Sequence, residues 1–544
     1  MKMWSRVGIV LGLIAWWGCS GESGGGDPPI TIPSDRPSLE LPDGTIAYAP
    51  IASRSAPSGR GGFAFGAASA ATQIEDQNTT VDWWYWTQPP EQGGLGNNFP
   101  LGDASRGFTR ALEDVELLRE LGLDTYRFSV EWARVEPQRG VIDEEALAHY
   151  DRFVDALVAA GIRPMITLHH FSNPIWVDDF RQGGPCAEPT DDNLCGWGSD
   201  AGAPLIIEAL AAHARLLAER FGDRVDEWCT LNEPVNYLLA SYGIGYFPPG
   251  RNLLLTDFDR FVSVFRNYLA AHVAMYDAIK EADQIDATGD GVAASVGLTL
   301  SVGEWVPARR NQPSEDPEDI AAVARLKQVY HYLFPEALRR GAFDPSLDAS
   351  WSEAQPGWEG KLDWLGVQYY FRSGVTGRNG VVPRLRLTPC FGDFDFGACL
   401  PPEDPTHWIP EMHYEFYAPG LYNVLVDFGQ RWPDLPLTVT ESGLATNTGA
   451  RRAEHIVRSL EQIQRAINEG VDVRGYLHWT LMDNFEWAEG YGPRFGLYFV
   501  DFDGDFSRRA TEGADVLREI TGQRRLTPAM RARYGGLGPM TPEQ

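Results

Sequence analysis

The chain has 544 residues, of which 43% are hydrophobic and 22% are charged, a composition typical of soluble globular proteins. This length allows one large barrel or about two to three smaller domains. The formal net charge of -29 at pH 7 argues against nucleic acid and anionic membrane surfaces as partners, because both repel an acidic protein.

Residues 1–19 predict an export signal. Lys2 and Arg6 precede the apolar run 7–17, which is too short to span a bilayer. Gly18 and Cys19 resemble the lipobox of bacterial lipoproteins, although the two Trp before them depart from the usual residues. We therefore expect a lipid anchor on Cys19 as the one attachment to a membrane, in a periplasmic or cell-surface lipoprotein. Ordinary signal-peptide cleavage and secretion is the alternative.

The remaining cysteines indicate disulfides in loops. Cys186 and Cys195 lie nine residues apart in a stretch rich in Gly, Pro and Asp, and Cys390 and Cys399 repeat that spacing. Two local disulfides follow for an exported protein. Cys229 lies in an apolar run and is expected to be a buried free thiol.

No metal site is expected. A zinc site built from the two cysteine pairs would need shorter spacings than nine residues. Residues 286–291 bear a faint likeness to a calcium loop, but the remaining ligand positions are missing and a solvated turn is the favoured interpretation.

The order of predicted elements indicates a parallel α/β fold, because short β-rich runs alternate with amphipathic stretches. The predicted strands are 63–69, 125–130, 163–170, 225–232, 292–301, 362–370, 435–442 and 474–481. The predicted helices are 110–121, 144–160, 205–221, 258–282, 320–340, 420–431, 452–469 and 512–520. Eight regular units over about 460 residues favour a (β/α)8 TIM barrel with long loop insertions over a doubly wound sheet.

The domain organisation follows from this pattern. Residues 20–61 are rich in Gly, Ser, Pro and Asp and predict a flexible linker. Residues 62–522 form the barrel, and 523–544 form a C-terminal tail. The insertions 178–203 and 372–416 directly follow strands, so we expect them on the rim where the active sites of such barrels lie.

Three carboxylates stand where predicted strands end. Glu233 closes the fourth strand, Glu441 closes the seventh, and Glu486 follows the eighth. A carboxylate beside a buried strand is costly unless it is paired or functional, although any one of them could be a solvated loop residue. Strands four and seven lie on opposite sides of an eight-stranded ring, so Glu233 and Glu441 should face each other across its mouth. Two opposed carboxylates are the groups that glycoside hydrolysis uses.

From about Gly62 to Ile520 the chain resembles family 1 of the glycoside hydrolases, the β-glucosidase and β-galactosidase group. The resemblance rests on motifs that occur in order along the chain. They are Phe63-Ala64-Phe65-Gly66 leading to Gln73-Ile74-Glu75, Tyr126-Arg127-Phe128-Ser129, Thr167-Leu168-His169-His170, Asn232-Glu233-Pro234, Thr440-Glu441-Ser442-Gly443 and Asp483-Asn484-Phe485-Glu486-Trp487.

The resemblance implies a role for each matching residue. Glu233 would be the acid/base and Glu441 the nucleophile, held by Arg127 and Tyr370. The residues that would bind substrate are Gln73, His170, Asn232, Tyr370, Trp479, Glu486 and Trp487. No cofactor is implied. Ser442, Gln368 and Phe171 depart from the usual Asn, Asn and Trp of the family, without removing a carboxylate.

The residues themselves support part of this assignment. Adjacent residues on a strand point to opposite faces, so only one of His169 and His170 can face the site. Asn232 beside the acid is placed to bond the sugar 2-hydroxyl. We also expect Arg127 to keep Glu441 ionised and the resulting charge to raise the pKa of Glu233.

The expected activity is that of a retaining exo-β-glycosidase acting on a β-linked glycoside or oligosaccharide through a covalent glycosyl-enzyme. The alternatives are a transglycosylase with the same catalytic pair and a non-catalytic sugar-binding lipoprotein on the same barrel. A phosphoglycosidase is disfavoured, since the carboxylate of Glu486 would repel a phosphate. The sequence leaves the glycone and the oligomeric state undetermined.

Overall fold

The computed structural model describes residues 41–51, 62–182, 186, 188–390 and 396–543. The predicted export signal, Cys19 and most of the predicted linker lie outside the described residues. Within these ranges, no helix combines the length and the apolar character that crossing a bilayer requires.

Eight parallel strands close into a barrel. They are β1 (Ala64–Ala68), β2 (Thr125–Ser129), β3 (Arg163–His169), β4 (Glu227–Asn232), β5 (Ser295–Arg309), β6 (Trp364–Thr376), β7 (Leu437–Ser442) and β8 (Val473–Trp479). Each strand pairs with the next along the chain, and β8 pairs with β1 to complete the ring. The predicted (β/α)8 barrel is confirmed, and each predicted strand lies at the place of an observed one.

The longer helices surround the barrel. They are α1 (Ala111–Glu120), α2 (Glu144–Ala159), α3 (Gly202–Phe221), α4 (Phe258–Ala282), α5 (Pro317–Lys327), α6 (Leu333–Arg340), α7 (Ala418–Arg431), α8 (Gly449–Asn468) and α9 (Glu512–Gln523). Shorter helices span Ala71–Ile74, Asp82–Thr87, Trp132–Val135, Pro234–Leu238, Leu253–Thr256 and Pro528–Tyr534. Side chains cap the start of several of them; for example, Asp143 accepts hydrogen bonds from the backbone N–H groups of Glu145 and Ala146 in the first turn of α2.

The single helix predicted over 320–340 is wrong in one respect. A π-helical segment, Gln328–Tyr332, separates α5 from α6. Pro335 has no backbone N–H to donate into a continuous helix, so it is tolerated only near a helix start. It lies in the first turn of α6, which explains why regular α-helix resumes just before it.

Both ends of the described chain pack on the barrel. Ile46–Ala47 pairs with Arg525–Leu526, and the side chains of Ile46 and Tyr48 are buried. The flexible linker predicted up to residue 61 is therefore wrong for residues 41–51, because its average composition concealed a short apolar segment that joins the core. Near the other end of the chain, Glu543 forms an ion pair with Arg451 of α8 at 3.0 Å.

The two predicted disulfides are confirmed. Cys186 is bonded to Cys195 and Cys390 to Cys399, with Cα atoms 5.3 Å and 4.6 Å apart. Cys229 is a buried free thiol, as expected. Both disulfides lie in insertions that follow the carboxyl ends of β3 and β6, the rim where active sites of this fold form.

An acidic cluster lies at the opposite end of the barrel. Ligand atoms of Asp226, Asp286 and Asp290 lie within 4.8 Å of one another. Asp226 comes just before β4, so the cluster is remote from the carboxylates at the strand ends. Asp286 accepts hydrogen bonds from the backbone N–H groups of residues 289–291, as in the predicted turn.

A buried histidine in α3 makes stability depend on pH. Neither ring nitrogen of His213 has a hydrogen-bond partner among the described residues, and burial, assisted by His169, lowers its pKa to about 3. A histidine with a lowered folded pKa contributes its full stability above its unfolded pKa of about 6.5 and loses it as pH falls from there towards the folded value.

We therefore expect His213→Leu to reduce the loss of unfolding free energy that accompanies a fall in pH. Between pH 7 and pH 5 the wild type should lose about 2 kcal/mol of unfolding free energy through this residue, and the variant should not. Urea unfolding at both pH values measures the difference, with His413→Leu, which removes an exposed imidazole, as the matched control. Equal acid losses in wild type and His213→Leu would contradict the prediction.

Candidate active site

The local backbone sets the direction of Glu233. It follows β4 and caps the short helix Pro234–Leu238, with φ 40° and ψ 61° in the left-handed region. Pro234 disfavours the right-handed helical conformation for the residue before it. The left-handed conformation costs a non-glycine residue about 1–3 kcal/mol and persists where the surroundings enforce it, often at active sites.

Glu441 is held through both carboxylate oxygens. Arg127 Nη1 on β2 donates to Glu441 Oε1 at 2.5 Å, and the Tyr370 hydroxyl on β6 donates to Oε2 at 2.8 Å. Arg127 is fully buried. Charge-assisted bonds of this kind are roughly twice as strong as neutral ones, so the carboxylate is fixed in place and its ionised form is favoured.

Arg127 also joins Glu441 to the strand that precedes Glu233. Its Nη2 donates to Asn232 Oδ1 at 2.6 Å and lies 3.8 Å from Cys229 Sγ. Asn232 Oδ1 accepts further bonds from Thr299 and Gln368. From the sequence, Cys229 was expected only as a core thiol and Thr299 was not expected at the site, because strand alternation alone does not reveal which inward side chains meet between strands.

Glu233 has a different environment. Its Oε2 accepts a hydrogen bond from the neutral amide of Asn236 at 3.0 Å. Burial, and next the charge of Glu441, raise the pKa of Glu233 to about 8. Burial also raises the pKa of Glu441, but Arg127 and Tyr370 oppose that shift. The proton therefore resides on Glu233, and Glu441 is the ionised member of the pair.

A second group of predicted residues lies beside this pair. Gln73 Nε2 donates to Glu486 Oε2 at 3.2 Å. His170 has its ring centroid 6.0 Å from those of both Trp479 and Trp487, with interplanar angles of 29°. Burial, and next the charge of Arg127, keep the pKa of His170 well below its usual range, so the ring is neutral.

The two adjacent histidines at the carboxyl end of β3, His169 and His170, face opposite sides, as expected. His169 is bonded to Asn173 and to the hydroxyl of Tyr268 on α4, outside the barrel. His170 lies among the rings of the site, and its Nδ1 is buried without a partner among the described residues.

The three residues that depart from the family pattern, Phe171, Gln368 and Ser442, contact residues of the site or their neighbours. Phe171 lies 5.4 Å from the ring of Trp487, and the Ser442 hydroxyl donates to the backbone oxygen of Tyr369 at 2.9 Å. Gln368 donates to Asn232 Oδ1 at 2.8 Å.

Asn236, which binds Glu233, was not predicted from the sequence. Its position three residues after Glu233 on the following helix is the signal that could have identified it.

Two carboxylates at the mouth of a barrel, one bound to a cation and the other protonated, define a class of enzyme. One can attack while the other donates a proton, which is the division of roles in a glycoside hydrolase. The family model of glycosyl hydrolase family 1 matches residues 57–525. The chain belongs to glycosyl hydrolase family 1 and is a retaining β-glycosidase.

Curated relatives match nearly their full length. A β-galactosidase of Pyrococcus woesei is 28% identical over 513 residues, which cover 86% of this chain and 97% of the relative. β-Glucosidase A of Thermotoga maritima is 28% identical over 468 residues, which cover 81% and 93%.

Solved structures agree with this assignment. A β-glycosidase from Pyrococcus horikoshii is 28% identical with a TM-score of 0.71, covering 87% of this chain and 96% of that one. The Thermotoga maritima family 1 glycoside hydrolase, complexed with a cyclophellitol analogue transition state mimic, is 26% identical with a TM-score of 0.70, covering 85% and 98%.

The contacts of Glu441 predict a specific effect of Tyr370→Phe. The variant removes a donor to the carboxylate, which raises the pKa of Glu441 and should move the acidic limb of the kcat/KM profile to higher pH. The matched control is Tyr369→Phe, because the Tyr369 hydroxyl donates instead to the backbone oxygen of Tyr417. An acidic limb that stays in place in Tyr370→Phe, or that moves equally in both variants, would contradict this.

Proposed function

We propose that the chain is an exo-acting β-glycosidase in which Glu441 is the nucleophile and Glu233 is the acid/base. The observation that carries the proposal is the difference in partners between the two carboxylates. Arg127 and Tyr370 hold Glu441 as an anion, whereas Glu233 meets the neutral amide of Asn236 and keeps its proton.

In the first step a carboxylate oxygen of Glu441 bonds to the anomeric carbon. The glycosidic C–O bond breaks, its electron pair passes to the leaving oxygen, and that oxygen takes the proton of Glu233. In the second step Glu233, now a carboxylate, takes a proton from water while the water oxygen replaces Glu441 at the anomeric carbon. Two inversions retain the β-configuration, and no cofactor is consumed.

The glycone would lie against Asn232 and the second group of residues, which are Gln73, His170, Trp479, Glu486 and Trp487. Aromatic rings pack against this group: the ring of Trp83 lies 4.9 Å from that of Trp487 and 4.9 Å from that of Phe247. The names of the relatives favour β-glucosides and β-galactosides as substrates.

The aglycone would meet a separate group of rings on the rim. Phe371, next to Tyr370, lies 5.2 Å from Trp305 and 5.7 Å from Tyr414. Burial raises the pKa of the Tyr414 hydroxyl above its usual range, and the carboxyl groups of Glu486 and Glu233 raise it further, which supports a position near the catalytic pair. We assign the leaving group to this apolar surface.

Glu233→Gln tests the acid role. The amide cannot donate a carboxylic proton, so the basic limb of the kcat/KM profile should flatten. Glycosides with poor leaving groups should slow by roughly 10²–10⁴-fold, while activated aryl glycosides, which need little protonation, slow far less in the first step. A series of aryl glycosides with graded leaving groups provides the measurement.

Glu489→Gln is the control, since this glutamate lies on the same rim and bonds the Tyr246 hydroxyl. It should keep the wild-type basic limb. If Glu233→Gln keeps that limb and slows good and poor leaving groups equally, Glu233 is not the acid.

We further propose that the protein is exported and anchored by a lipid on Cys19. The support is the charged start, the short apolar run and the Gly18-Cys19 pair. In a bacterial host, Cys19→Ala should move the protein from the membrane fraction to the soluble fraction and remove the incorporation of labelled fatty acid. Wild-type protein that carries no label would refute the anchor.

A further inference from the structure

The amide of Asn232 has a fixed orientation. The Arg127 guanidinium contains only donors, so the Asn232 atom that faces it at 2.6 Å is the acceptor Oδ1. Gln368 must then present Nε2 to the same oxygen, at 2.8 Å, and Thr299 its hydroxyl, at 3.0 Å. With the oxygen engaged by three donors, Asn232 can offer a ligand only its Nδ2 hydrogens.

Gln368 reaches Asn232 across an intervening strand. Asn232 on β4 is paired with Thr299 on β5, while Gln368 lies on β6 beyond β5. Neighbouring strands lie about 4.8 Å apart, so the bond needs a long side chain. This reach gives a physical reason for Gln rather than the shorter Asn at this position.

Gln368 is also placed to act together with the groups around Glu441. It lies two residues before Tyr370, so both side chains leave the same face of β6. Gln368 is fully buried, and its Oε1 has no hydrogen-bond partner among the described residues. An unpaired buried acceptor destabilises the folded protein. The hydrogen bond that the Gln368 amide donates to Asn232 is the contact that explains why an amide stands at this position.

We propose that Gln368 is a positioning residue that directs Asn232 Nδ2 at the 2-hydroxyl of the glycone. The inference rests on the proposed function, in which Asn232 binds the sugar next to Glu233. A hydrogen bond to the 2-hydroxyl strengthens as the transition state forms. Gln368 therefore acts on the rate of glycosyl transfer through Asn232, without itself touching the substrate.

The test uses Gln368→Met, which keeps the length and removes the donor, and Gln368→Asn, which keeps the donor and removes the length. Each is assayed with 4-nitrophenyl β-glucoside and with its 2-deoxy analogue. With the glucoside, both variants should lower kcat/KM by about tenfold, mainly through kcat. With the 2-deoxy substrate the change should stay below about twofold, because the contact is already absent.

A double-mutant cycle adds a second readout. In the Asn232→Ala background, Gln368→Met should change kcat/KM for the glucoside by less than about twofold. Equal losses on both substrates, or an undiminished loss in the Asn232→Ala background, would overturn the inference and leave the proposed function in place. A wild-type enzyme that hydrolyses neither these glycosides nor other 4-nitrophenyl β-glycosides, the β-galactoside included, would instead overturn the proposed function.

Discussion

The active site depends on the buried guanidinium of Arg127. From β2 it binds Glu441 on β7 through one nitrogen and Asn232 on β4 through another. A buried cation is strongly destabilising unless it is paired, and removing one partner leaves an uncompensated charge. The pairing that compensates the charge of Arg127 therefore favours the ionised form of one carboxylate and fixes the amide next to the other, so charge and geometry are set together.

The proposed roles of the two glutamates follow from their partners, since their side chains are chemically identical. Glu441 has a cation as its partner, whereas Glu233 has a neutral amide, and burial and next the charge of Glu441 raise the pKa of Glu233. In the proposed mechanism, Glu441 loses its charge when the glycosyl ester forms, and that influence on Glu233 ends. The pKa of Glu233 then falls, and the residue that gave a proton can accept one from water.

Regular patterns in the sequence predicted the barrel, because alternation of strands and helices repeats eight times; β4, for example, was expected at 225–232 and lies at Glu227–Asn232. Contacts that depend on side-chain reach were not predictable in this way. Asn236 binds Glu233 from the next helix, and Gln368 crosses β5 to Asn232. Neither Asn236 nor Gln368 changes the hydrophobic pattern of its helix or strand, so the sequence does not reveal these contacts. The packing of residues 41–51 was missed because composition was averaged over a longer segment.

The most direct test of the division of roles is to trap the covalent intermediate. A 2-deoxy-2-fluoro β-glycoside with a good leaving group slows both steps, but the leaving group lets the glycosyl-enzyme form and accumulate. Mass spectrometry of the intact protein should show one added fluoroglycosyl group, and peptide mapping should place it on Glu441. A label on Glu233 or Glu486, or an unlabelled enzyme that releases the α-anomer first, would contradict the account.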